Sequence, residues 1–169
     1  MNKQSLFFTV IVAIVAFIIM LLAIQYLTKK MNIKNDSSQK VNTSFSIWVS
    51  SLLVSFFIFL KIALEQVENS IEIIIKSESI DNTFFSVMQK ITIFMGFTFL
   101  YTFLCYYLID KSLQFVLGKR INNIEIEKEN VGYFLIKGIS LLLFVYSVSF
   151  IFEHFLKWFM PVVEMPFYH

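Results

Sequence analysis

The stretch Asn130–Glu153, NVGYFLIKGISLLLFVYSVSFIFE, repeats the pattern of Asn42–Glu65, NTSFSIWVSSLLVSFFIFLKIALE, 88 positions earlier and without a gap. Asn130 aligns with Asn42, Leu141 with Leu53, Phe144 with Phe56 and Glu153 with Glu65, while Tyr133 falls on Phe45, Leu135 on Ile47 and Gly138 on Ser50. Each copy has a polar lead-in, an apolar run and a closing glutamate. Each also follows another apolar run and a basic loop. The chain reads as two tandem helical hairpins, repeat 1 over about 6–76 and repeat 2 over about 91–160, in one domain spanning 1–169.

Composition places these hairpins in a membrane. The chain is 57% hydrophobic and only 15% charged, with 21 Phe among its 169 residues, whereas soluble chains carry roughly 25% charged residues. A net charge of +2 without a basic stripe excludes nucleic acid as a partner. The single cysteine, Cys105, lies inside an apolar run, so neither a disulfide framework nor a metal cluster is expected. The first apolar run is too long for a secretory signal and is followed by no small-x-small cleavage site, which predicts an uncleaved helix.

Four runs are long enough to cross a hydrocarbon core, which takes roughly 20 helical residues. They are Leu6–Leu27, about Phe45–Leu64, Ile91–Ile109 and about Val131–Phe152. The fourth contains Lys137 near its start, where a lysine is expected to snorkel its ammonium to the headgroups. Continuous rather than alternating apolar runs predict helices and not barrel strands. The fold class expected is therefore an all-α integral membrane protein with four transmembrane helices.

Lysines set the expected orientation. Lys29, Lys30, Lys34 and Lys40 lie in one connection, and Lys111, Lys119, Arg120 and Lys128 in the other. The opposite side carries Lys3, Lys61, Lys76, Lys90 and Lys157. The bias predicts both basic loops in the cytoplasm and both termini outside. In the outer connection Val67, Ile71 and Ile74 recur at helical spacing, predicting that the second helix runs on past the membrane for two or three turns, or lies along its surface, until Ser77–Thr83 breaks it. Trp158 and Trp48 are expected as interfacial belt residues at opposite ends.

The acidic-then-asparagine lead-in Glu125, Glu127, Glu129, Asn130, Val131, with Asp36, Asn42 and Thr43 as a looser first copy, resembles the YjfL-type bacterial inner-membrane family, the domain of unknown function three-fifty. The resemblance covers nearly the whole chain and implies a four-helix inner-membrane protein, without lending a mechanism. The chain departs from the family's Gly- and Ala-rich second helices, with only Gly132 and Gly138 in the corresponding segment.

Candidate functional residues are few. Glu65 and Glu153 share a repeat position, and each is four residues from a lysine, Lys61 and Lys157 respectively. That spacing puts the charges side by side on a helix, and the pairs are candidates for a path mouth or a docking surface, against helix-end ion pairs facing headgroups. Ser50, Ser51, Ser55, Gly96, Thr102 and Gly138 could line a polar path or simply allow close helix packing. Glu153 and His154 diverge by about 100° on a helix and are not a natural catalytic pair. Cys105 has no base near it in sequence and reads as a buried thiol.

The sequence holds no phosphate-binding glycine loop, HExxH, CxxC or GxSxG motif, and its loops are too short to fold as catalytic domains. No enzyme, cofactor or metal is expected. The function expected is that of a non-enzymatic subunit of a membrane assembly, contacting the lipid bilayer and either itself or another membrane protein. The alternative is an oligomeric channel or transporter for an ion or small solute.

Overall fold

A computed structural model of the chain describes residues 3–31, 42–76 and 83–161. Five helices make up almost all of it: α1 (Lys3–Lys30), α2 (Thr43–Lys76), α3 (Thr83–Leu117), the single-turn α4 (Asn122–Glu127) and α5 (Val131–Lys157). Among the described residues there are four helices long and apolar enough to cross a membrane, with α4 between the third and fourth of them. The chain is all-α, with α1–α2 and α3–α5 as successive hairpins. Lys34, Lys40 and Asp36, and most of the break at 77–83, lie outside the described residues.

At about 1.5 Å per residue, α2 and α3 are each about 50 Å long, well beyond a ~30 Å hydrocarbon core. The excess of α2 was legible: Val67, Ile71 and Ile74 are all buried, against Val87 of α3. The two helices overshoot together at what we call the hairpin end. At the opposite end, the α4 end, α3 runs to Leu117 and stops at Gly118, whose φ of +79° is the left-handed conformation that closes helices. Asp110 is therefore a helix residue two turns from the terminus, although the charge there suggests a loop.

α2 is the central helix, packed by α1, α3 and α5. One buried cluster joins Trp48, Leu52 and Phe56 to Ala16, Met20 and Ile24 of α1 and to Ile126, Tyr133 and Phe134 beneath them. A second, towards the hairpin end, stacks Phe59, Phe152 and Tyr101, with ring centroids 4.8–6.1 Å apart. α2 and α5 approach closely at Gly138, where a Cβ would stand 3.1 Å from Ser51 Cβ.

The two repeat copies begin alike. Asn42 and Asn130 each cap a helix, accepting from the backbone N–H three residues on at 3.2 Å (Phe45 and Tyr133). Burial then departs from the repeat: Phe59 and Val67 of α2 are buried, whereas Ser147 and Phe155 at the corresponding positions of α5 are not. α2 is covered on three sides and α5 is not.

Candidate functional site

The polar residues of the bundle converge at the α4 end. Lys137 lies six residues into α5, about 9 Å along the helix, and its side chain is only 3% exposed. It does not snorkel. Its ammonium forms an ion pair with Asp110 of α3 and donates to Tyr106 Oη at 3.1 Å and Asn122 Oδ1 at 2.9 Å. Three acceptors match the three ammonium protons, which is what allows a charge to stay buried. The Tyr106 ring also faces the ammonium, 4.5 Å from its centroid.

Each partner is itself held. Asp110 accepts from Gln114 Nε2 at 2.7 Å through its other oxygen. Tyr106 Oη accepts from Trp48 Nε1 and Asn122 Nδ2, both at 3.0 Å. Trp48 is therefore not a belt residue: it is 2% exposed, and its indole N–H is satisfied inside the bundle. Trp158, in contrast, is 80% exposed at the end of α5.

α4 closes the cluster from below and is tied to both repeat asparagines. Asn42 Nδ2 donates to the Ile126 carbonyl at 2.9 Å, and Asn130 Nδ2 donates to Glu125 at 2.5 Å. Glu125 also accepts from Arg120 at 3.3 Å. The segment Glu125–Asn130 thus forms a short plug and its exit turn, where Glu129 has a φ of +50°. The whole arrangement is a clasp joining α2, α3, α4 and α5.

The residues singled out from sequence are dispersed. Ser51, Ser55 and Thr102 are buried and bond to carbonyls of their own helices: Ser51 to Trp48 at 2.9 Å, Ser55 to Ser51 at 2.8 Å and Thr102 to Thr98 at 2.7 Å. Gly138 makes the close approach to Ser51 already described. Gly96 is exposed, with open space where a Cβ would stand, so it serves no helix contact within the chain. Ser50 is exposed on α2. Glu153 and Lys157 form an ion pair at 2.6 Å on α5, half-exposed, beside an exposed His154. Lys61 and Glu65 line a groove between α2 and α1, with Thr9 and Ala13 opposite. Cys105 is buried and free.

A second groove lies between α2 and α5, lined by Ser46, Ile47, Ser50 and Val54 against Leu135, Gly138 and Leu142. Both grooves are apolar and open laterally from the same exposed stripe of α2: Ser50, Val54, Phe57, Lys61 and Glu65. Among the described residues no group of three His, Cys, Asp or Glu side chains could hold a metal. Comparisons with protein-family models, curated proteins and solved structures gave no match.

Proposed function

We propose that the chain is a non-enzymatic subunit of a membrane assembly, working through helix–helix contacts along the open stripe of α2. One observation supports this above others. The helix at the centre of the bundle, covered by three neighbours, still leaves an uncovered row with a groove on each side of it. Small residues at Ser46, Ser50 and Gly138 allow a further helix to approach closely, and in lipid such packing is what holds helices together. The lysine bias supports placing the clasp at the cytoplasmic face of a bacterial inner membrane, with both termini outside. The resemblance to the YjfL-type family fits the same placement. Purification in gentle detergent followed by native mass measurement tests the reading, which requires a particle heavier than one chain. A chain that is monomeric in both detergent and lipid discs would defeat it.

A second reading, an oligomeric channel or transporter, is favoured by the buried Lys137–Asp110 pair, because ionisable residues inside spans often mark ion or proton pathways. The saturation of Lys137 by three acceptors favours a clasp over a relay. Flux from liposomes carrying the wild-type chain, compared with a Lys137→Met, Asp110→Leu double variant, separates the two. Flux that depends on the pair would establish transport.

A further inference from the structure

Lys61 and Glu65 stand one turn apart on the open stripe of α2, both exposed. Among the described residues they form no ion pair with each other, whereas Glu153 and Lys157, at the same spacing on α5, close one at 2.6 Å. The order of the charges accounts for the contrast. A glutamate four residues before a lysine is the favourable arrangement on a helix, and α2 carries the reverse. Lys61 is 18 residues into α2, about 27 Å along the helix and thus near the far boundary of a ~30 Å hydrocarbon layer. A lysine at that boundary can snorkel to the headgroups, and a partner helix that presents the opposite charges there would meet both Lys61 and Glu65.

We propose that a second copy of this chain covers the stripe, in a two-fold pair where Lys61 of each copy meets Glu65 of the other. This rests on the reading of α2 as a docking helix and adds the identity of the partner. Two copies inserted with the same orientation are related by an axis along the membrane normal, which sets their α2 helices parallel with equivalent residues opposed. Ser50, Val54 and Phe57, small or apolar, tolerate their own counterparts. With equivalent residues level, Lys61 of one copy and Glu65 of the other differ in height by four residues, about 6 Å. Their long side chains span that step diagonally across the axis, so the pair of copies closes two ion pairs where one chain closes none. A purely apolar partner helix would leave both charges unmet. Within the chain α2 also packs in parallel against α5, the corresponding helix of the other hairpin. The groove between α2 and α5 is lined by repeat-equivalent residues, Ile47 with Leu135, Ser50 with Gly138 and Val54 with Leu142.

The test uses the full chain in membranes, with Cys105→Ser as the background. Val54→Cys and Phe57→Cys are expected to form oxidative cross-links at twice the chain mass, whereas Leu100→Cys, 54% exposed on α3, stays monomeric. Co-expressing differently tagged Lys61→Glu and Glu65→Lys chains reads pairing between copies directly. Mixed pairs should exceed same-variant pairs several-fold, because each same-variant pair opposes like charges. Equal recovery of mixed and same-variant pairs overturns the proposal, as does the absence of dimer cross-links from Val54→Cys and Phe57→Cys. If those cysteines instead cross-link to a protein of another mass, the docking reading stands and self-pairing falls. If they cross-link to nothing and native mass shows one chain, both fall.

Discussion

Lys137 and Asp110, 27 positions apart on different helices, form an ion pair with side chains only 3% and 17% exposed. Removing one partner strands the other in the bundle. Lys137→Met or Asp110→Leu alone is expected to cost about 3–5 kcal/mol, whereas the Lys137→Met, Asp110→Leu double variant, which replaces both charges with apolar groups, recovers most of that loss. Reversible unfolding in mixed micelles, run as a double-mutant cycle, measures it. Additive losses would show that the two residues are not coupled.

Gly138 and Gly96 give opposite expectations for the same change. A Cβ at Gly138 meets Ser51 at 3.1 Å, whereas one at Gly96 meets nothing within 4 Å. Gly138→Leu forces α5 away from α2 and should cost about 1–3 kcal/mol, as overpacking does. Gly96→Ala should stabilise its helix by up to about 1 kcal/mol through helix propensity. The unfolding midpoints of the two variants, measured together, check both signs.

Asn42→Ala and Asn130→Ala each remove a helix cap, a loss of typically about 1 kcal/mol. Each also withdraws a donor, Asn42 from the Ile126 carbonyl and Asn130 from the nearly buried Glu125 carboxylate. Asn130→Ala should cost more, because a hydrogen bond to a charged group is worth more than one to a carbonyl. Proteolysis at the α4 turn offers a second readout, with faster cleavage expected in Asn130→Ala than in Asn42→Ala.

Much of the helical scaffold was legible because apolar runs and helix caps are local. The overshoot of α2 was written in the spacing of Val67, Ile71 and Ile74. The clasp was not legible, because its defining contacts are tertiary. A lone lysine one to two turns inside an apolar run looks the same whether it snorkels or pairs, and the partner of Lys137 lies on the preceding long helix. Asp110 ends a charge-free run and so resembled a loop residue, yet α3 continues for two turns beyond it. Trp48 shows the same limit: a tryptophan near a helix end fits a belt, and only its contact with Tyr106 places it inside. One signal was available. Asp110 and Lys137 each lie about two turns inside helices that meet at the same end, a position where opposite charges can pair.

Ser70 carries a hydroxyl that is fully buried on α2 and, among the described residues, has no hydrogen-bond partner, one turn from the similarly unmatched Oε1 of Gln66. Ser70→Ala removes an unsatisfied buried group and should hold or raise stability by about 1 kcal/mol. Ser55→Ala, whose hydroxyl bonds the Ser51 carbonyl, serves as the comparison and should not gain. A destabilised Ser70→Ala would mean that this hydroxyl finds a hydrogen-bond partner in the folded protein.

Reporter fusions check the orientation. A fusion after His169 should be active only outside the cytoplasm, and one inserted near Asn35 only inside, as the lysine bias requires. The opposite pattern would place the clasp on the outer face.

The order of Asp110 and Lys137 along the chain bears on how the protein is made. The segment after Lys137 offers only 15 charge-free residues, short of the roughly 20 that carry a helix across by themselves. By the time α5 leaves the ribosome, α3 is already in place with its carboxylate at the matching depth. The last span can thus be helped into place by the helix before it. A chain without Asp110 would then be expected to insert α5 less efficiently as it is made, a loss separate from the stability of the chains that do fold.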